Sequence, residues 1–266
     1  NNHKNNYSKK YFISHLTQIS KYKFSKIDDF YRYEPTISFH KTNIIFFDNK
    51  GSILKFNNQS KLIWKKNYYS KFEKKQKPIL QFANNDKFLV VADNISKFYV
   101  IDIETGKLIW SKINSSPFNS QIKIHNDKFY IIDSTNTLRC FSLSTGNEIW
   151  NIKTQNNLIK SQKKLSMVIV NDKIYFNNSI GDISAVSLDK GELLWQLPTQ
   201  SSLVIESAFG LETSEIIADN DTIFFSNNKN QFFSIDINSG SFNLENKINS
   251  SLKPTLVENL IVTVFL

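Results

Sequence analysis

Cysteine is nearly missing from this chain of 266 residues: Cys140 stands alone. No intrachain disulfide can form, and a structural zinc site built on several cysteines is excluded. The residue sits in Leu138-Arg139-Cys140-Phe141, a stretch that reads as a strand, where a thiol acts as a small buried hydrophobe. Glycine is scarce at seven residues and proline at five, so the turns must rely on other residue types. No run approaches the roughly 18 apolar residues of a membrane-spanning helix. Acidic residues are few at the start: residues 1–80 hold 17 Lys/Arg against 5 Asp/Glu (+12), while the remainder holds 16 against 19 (−3), which together make +9. A basic first third can steer an acidic partner or an anionic surface, or it is simply a solvated lysine-rich face. The sequences that cradle phosphate, build a serine nucleophile elbow or bind zinc on a helix are also missing. His3, His15, His40 and His125 are scattered, and His40 and His125 read as exposed turn residues rather than metal ligands. The pair Asp28-Asp29 reads as solvated, and no metal site is expected.

What is present is a repeat. Asp102-Ile103-Glu104-Thr105-Gly106-Lys107-Leu108-Ile109-Trp110 recurs as Ser142 to Trp150 and as Ser187 to Trp195, with Gly106, Gly146 and Gly191 each four residues before the tryptophan. A copy from Asn57 to Trp64 has Ser60 in the glycine slot, and a copy from Asp236 has Gly240 but Leu244 in the tryptophan slot. Steps between the aromatic slots are 46, 40, 45 and 49 residues, a period that signals a propeller, solenoid or array.

Within each period four short apolar runs alternate with turn residues, here strands A to D. In the copy from Ile79, strand A ends at Ala83, B runs from Lys87 to Ala92, C from Lys97 to Ile101 and D closes at Trp110. The A–B turn repeats as Asn85-Asp86-Lys87, Asn126-Asp127-Lys128, Asn171-Asp172-Lys173 and Asn220-Asp221-Thr222, residues that tolerate positive φ and bond to their own backbone. Strand B is apolar on both faces, as in Phe88-Leu-Val-Val and Phe129-Tyr-Ile-Ile, so the sheets should stack face to face. The reading is an all-β β-propeller of four-stranded antiparallel blades, A innermost and D outermost. About five complete blades end at Trp64, Trp110, Trp150, Trp195 and Leu244, and a sixth starts at Pro254. The ring is expected to be incomplete, a fragment of a seven- or eight-bladed propeller. Residues 34–266 form the blades, and residues 1–33 are a partial preceding blade or an irregular basic and aromatic segment.

The strand, turn, Thr-Gly-X-X-X-Trp pattern resembles the pyrroloquinoline-quinone-type propeller repeat over nearly all of residues 35–266. The resemblance implies that Trp64, Trp110, Trp150 and Trp195 dock on the glycine turn of a neighbouring blade, and that Leu244 docks less tightly. One branch of that family consists of quinone-dependent dehydrogenases, which hold the cofactor beside a vicinal disulfide and a calcium ion. A lone cysteine cannot supply that disulfide. The other branch is non-catalytic and BamB-like, comprising lipoproteins that help insert β-barrels into the bacterial outer membrane. The chain resembles that branch more closely, which implies a scaffold without cofactor or catalytic residues. Its partner would be a periplasmic domain of the outer-membrane insertase, met at the inner face of the outer membrane. A lipid anchor is expected only if sequence upstream of Asn1 carries one. Nucleic-acid binding by the basic N-terminal region is the remaining reading.

In a propeller the D–A and B–C connections share one rim, and variable rim loops on a rigid scaffold are where recognition resides. The D–A segments are the longest connections. The partner-binding residues expected there are Lys74, Lys75 and Lys77 in one loop, Leu158, Ile159, Lys160, Lys163 and Lys164 in another, and Leu203 and Val204 in a third.

Overall fold

The computed structural model describes residues 2–6, 18, 20–22, 36–155, 164–199, 211–257 and 260–264. The first sheet is β1 (Ser38–His40), β2 (Asn43–Phe47), β3 (Ile53–Phe56) and β4 (Leu62–Lys66), followed by a short helix α1 (Lys71–Lys75). The second sheet is β5 (Leu80–Asn84), β6 (Phe88–Asp93), β7 (Lys97–Asp102) and β8 (Leu108–Ile113). The third is β9 (Lys123–His125), β10 (Lys128–Ile132), β11 (Thr137–Ser142) and β12 (Glu148–Lys153), and the fourth β13 (Met167–Val170), β14 (Lys173–Asn177), β15 (Ile183–Ser187) and β16 (Leu193–Leu197). The fifth is β17 (Ile217–Ala218), β18 (Thr222–Asn227), β19 (Gln231–Asp236) and β20 (Phe242–Asn246), and a two-stranded sheet, β21 (Thr255–Val257) and β22 (Leu260–Val262), follows. Each four-stranded sheet keeps its strands in sequence order. These are the PQQ-repeat propeller blades that the period predicts.

Three kinds of turn make this up-and-down order possible. Between A and B, Asn126, Asn171 and Asp172 take positive φ, and the Asn85 side chain accepts from the backbone of Lys87 and Phe88. Between C and D, Gly106 N donates to Asp102 O and Gly146 N to Ser142 O, with both glycines at φ 67°. The B–C turn has a device of its own. The Asx residue that ends strand B bonds forward into the turn: Asp48 accepts from Lys50 and Ser52, Asp93 from Ile95 and Lys97, Asn178 from Ile180 and Asp182, and Asn227 from Lys229. A side-chain oxygen that mimics a backbone acceptor closes the turn, and the left-handed position in it is filled by Gly51 and Gly181 in two cases and by Ser96 and Asn230 in the other two. Asp48, Asp93, Asp133, Asn178 and Asn227 recur with the same period as the tryptophans, a signal present in the sequence but hidden among many other Asn and Asp residues.

In four of the sheets the C–D pairing slips at one place, between Lys55 and Phe56, Val100 and Ile101, Ala185 and Val186, and Ser234 and Ile235. Leu108 lies opposite Ile101 and Trp110 opposite Val100, so Ile109 is an extra residue. The bulge turns Leu108 and Trp110 to opposite faces although they are two apart, which aims the indole at the next sheet.

The chain divides into two compact units, residues 11–134 with 141–148, and residues 2–10, 135–140 and 149–266; the strands of the third sheet divide between them. In the first unit Ile45, Phe47, Ile53 and Trp64 pack on Leu89, Val91, Tyr99 and Ile101, and Val90, Phe98 and Val100 pack on Phe129, Ile131 and Phe141. In the second, Val168, Tyr175 and Ala185 pack on Ile216, Ile223, Phe225 and Phe233. Strand B is buried on both faces, as the absence of alternation predicts. Cys140 is fully buried in β11.

One expectation needs correction. His40 is not an exposed turn residue: it is 3% exposed, with Nδ1 3.5 Å from Lys55 Nζ, because the turn falls after it and leaves it inside β1. The long D–A connection after β4 carries α1, whose Ser70 and Glu73 make a reciprocal capping box. Most of the N-terminal segment of residues 1–33 lies outside the described residues. Among those described, Tyr22 packs edge-on against Phe46 and Phe56 and donates to Asn57 O, while residues 2–6 lie against β13 and β17.

Candidate docking surface on the rim

The loop from Asn67 to Pro78 is anchored to the sheets through Asn67, Tyr68, Tyr69 and Glu73. Asn67 Nδ2 donates to Lys50 O and Ser52 Oγ, and its Oδ1 accepts from Tyr69 N. The Tyr68 hydroxyl donates to Gly106 O, and Tyr69 donates to Asp93 Oδ2 at 2.6 Å. Burial pushes the Tyr68 phenol up to about 12 and the Asp93 carboxyl up to about 6. Gly51 lies directly beneath Tyr69: a Cβ there would stand 2.6 Å from the ring, so only glycine lets the B–C turn and the D–A loop meet. The Lys97 ammonium donates to Tyr68 O and Glu73 Oε1 and lies 4.9 Å from the Tyr69 ring centroid. Partial burial draws the Glu73 carboxyl up, but bonds from Ser70 and Lys97 outweigh it and hold the group low. Ile79 N donates to Asn94 Oδ1 and closes the far end of the loop.

This framework leaves one side of α1 facing solvent. Phe72 is 72% exposed, Lys71, Lys75 and Lys77 are exposed, and Lys74 is half-buried. Lys74, Lys75 and Lys77 were expected here from the sequence. Lys71 and Phe72 escaped because a loop without periodicity does not say which side chain is turned outward. Lys164 is half-buried just before Leu165. Leu158, Ile159, Lys160, Lys163, Leu203 and Val204 lie outside the described residues.

The tryptophans sit on the glycines of the following sheet. A Cβ added to Gly106 would come 3.0 Å from Trp64, on Gly146 2.8 Å from Trp110, on Gly191 2.5 Å from Trp150 and on Gly240 2.7 Å from Trp195. Trp110 Nε1 donates to Leu143 O at 3.0 Å and Trp195 Nε1 to Ile237 O at 3.3 Å. The first interface differs. The matching carbonyl, Ile103 O, is taken by the fully buried Lys55 ammonium at 2.9 Å, and Trp64 Nε1 has no partner among the described residues. Lys55 also reaches Glu104 Oε2 at 2.6 Å, and Lys41 binds the other oxygen at 2.7 Å. Bonds from Lys41 and Lys55 hold the Glu104 carboxyl down to about 2. Leu244 is 47% exposed.

A family model described as outer membrane protein assembly factor BamB, built on the PQQ repeat, matches residues 49–265. The chain belongs to the BamB family. None of the curated proteins matches the sequence significantly. Among solved structures, BamB from Moraxella catarrhalis is 14% identical, with TM-score 0.62, covering 85% of this chain and 67% of that one. A quinohemoprotein alcohol dehydrogenase from Pseudomonas putida HK5 is 14% identical at TM-score 0.62, covering 80% of this chain and 41% of the enzyme. That from Comamonas testosteroni is 12% identical at TM-score 0.62, covering 81% and 43%. At these identities the structural likeness establishes the shared fold, and the chain spans less than half the length of either dehydrogenase.

The quinone and calcium used by the catalytic relatives of the BamB family do not fit the residues described. The only cysteine is buried inside β11, so no vicinal disulfide can form under a cofactor, and no three His, Cys, Asp or Glu side chains converge among the described residues. The perturbed carboxylates have structural partners: Asp93 holds a turn and Tyr69, and Glu104 holds two lysines.

Proposed function

We propose that this BamB-family chain is a non-catalytic docking scaffold that helps assemble outer-membrane β-barrel proteins by presenting its D–A rim loops to a periplasmic domain of the insertase. On this reading it works in the periplasm, at the inner face of the outer membrane, tethered by a lipid if sequence upstream carries the anchor. The observation that supports the reading is the α1 loop. It is anchored through Tyr68, Tyr69 and Glu73, and its outward side offers lysines and an aromatic ring in place of acid–base pairs. Rigid presentation lowers the ordering cost of association.

The test is capture of the insertase's periplasmic domain by the wild-type chain and by a variant with charge reversal at Lys74, Lys75, Lys163 and Lys164 and serine at Leu203 and Val204. The wild type is expected to bind and the variant to lose most of the capture; undiminished capture removes the rim loops from the interface. The second reading, a quinone-dependent dehydrogenase, draws on the equal fold similarity to the alcohol dehydrogenases. Titration with pyrroloquinoline quinone and calcium, followed by absorbance change and dye reduction, decides it. The scaffold reading expects neither signal.

A further inference from the structure

We infer that the outward side of α1 is a recognition site for an acidic segment of a partner protein, one that carries a large apolar side chain between carboxylates. This rests on the scaffold reading and names the chemistry of the partner. On α1, Lys71 precedes Phe72 and Lys75 lies one helical turn on, so both share its exposed side, while Lys74 is half-buried; Lys50, exposed in the neighbouring turn, accepts from Asn67 through its carbonyl. None of these four ammonium groups has a carboxylate partner among the described residues, because the carboxylates of this rim are engaged elsewhere. Asp48 binds Lys65 at 3.0 Å, Glu73 binds Lys97 at 3.0 Å, and Asp93 is buried under Tyr69. The rim thus offers an uncompensated positive field around an apolar contact.

A second exposed apolar side chain lies on the strand pair that anchors α1. Ile113, 76% exposed, pairs across the β7–β8 ladder with Lys97, the residue whose ammonium grips α1 through Glu73. Phe72 leaves 72% of its surface in water, apolar area that is removed from solvent only when something covers it. A lipid surface is the weaker occupant: one phenylalanine on a helix of five residues supplies about 2–3 kcal/mol of burial, below what stable membrane anchoring takes. A peptide segment can lay an apolar residue on the Phe72 ring and answer several lysines at once.

The probe is a fluorescein-labelled peptide of alternating Asp and Glu around a central Leu-Phe pair, with a Lys-substituted control peptide, titrated by anisotropy against the full chain. Saturable binding of the acidic peptide alone is expected, weakening steeply with salt. Phe72→Ser is expected to weaken it at least about tenfold, as is the combined Lys71→Glu, Lys74→Glu, Lys75→Glu variant. Ile113→Ser serves as an independent variant, and unchanged thermal midpoints show that each protein is folded. Equal binding by wild type and variants overturns the site. So does a lack of peptide binding, including the case where phosphatidylglycerol vesicles sediment the wild type but not the variants, which assigns the surface to lipid. If the peptide fails while the wild type still captures the periplasmic domain, only this surface falls. If the domain is not captured either, the scaffold reading falls with it.

Discussion

Ser60 adopts φ 61° in the slot where Gly106, Gly146, Gly191 and Gly240 lie at 67–72°. An L-residue in this region carries about 1–2 kcal/mol of steric strain, offset in part by the freedom glycine gains when unfolded. Ser60→Gly is therefore expected to stabilise the chain by about 0.5–1 kcal/mol, read as a higher urea midpoint with unchanged slope. A lower midpoint would mean that the serine earns its place through contacts. Asp93 gives the second test at this scale. Its folded-state pKa is raised by burial to about 6, above the ordinary aspartate value of 3.8. The neutral form is favoured in the fold, so its contribution is complete below about pH 4 and is lost as pH rises through 6. Asp93→Asn keeps the acceptor for Ile95 and Lys97, as Asn178 does for its own turn, and removes the titration. Wild type minus variant stability should fall by up to about 3 kcal/mol between pH 4 and pH 7. Parallel pH profiles would show that Asp93 ionises freely. Glu104, held down to about 2, acts in another window: its contribution is present above pH 4.5 and lost as pH falls toward 2.

At the scale of strands and turns, stability is concentrated where a bulged D strand throws an indole onto a glycine. Trp110 stacks beside Phe129, meets Phe98 edge-on and donates to Leu143 O. Trp110→Leu is expected to cost about 2–4 kcal/mol, from lost packing and an unanswered carbonyl. Thermal unfolding checks it, and a cost under about 1 kcal/mol would mean that the bulge and the glycine turn hold without the indole. Much of this was legible from spacing alone. Gly106 and Trp110 recur four apart, and the strands of the second sheet begin within a residue of where apolar runs place them, although the last runs on to Ile113 and not to Trp110. Lys55 was not legible. Its counterparts across the ladder from the D strand are Val100, Ala185 and Ser234, and a lysine in a strand normally turns to water. Only the approach of Ile103 O and Glu104 from the next sheet makes burial of its charge tolerable.

At the scale of the molecule, pieces distant in sequence complete one another. Residues 2–6 lie against the inner strands of the second unit: His3 O accepts from Ile169 N and Lys4 O from Ala218 N. Asn5 Nδ2 donates to Ser166 Oγ, Met167 O and Ile216 O. Asn5→Gly keeps the backbone at its φ of 54° without strain while leaving those acceptors unanswered. It is expected to lower stability by about 1–3 kcal/mol and to speed hydrogen exchange at Ile169 and Ala218. Unchanged exchange there would show that the segment is not held.

The sequence by itself determined the repeat, the four-strand unit, the glycine turns and the docking tryptophans, because these depend on periodicity and on backbone conformations that few residues accept. Tertiary structure alone decided the burial of His40 and Lys55, the lodging of Asn5 against β13 and β17, and the outward turn of Phe72. Those depend on which groups from distant segments arrive within hydrogen-bonding distance, and no local pattern of residue types encodes that.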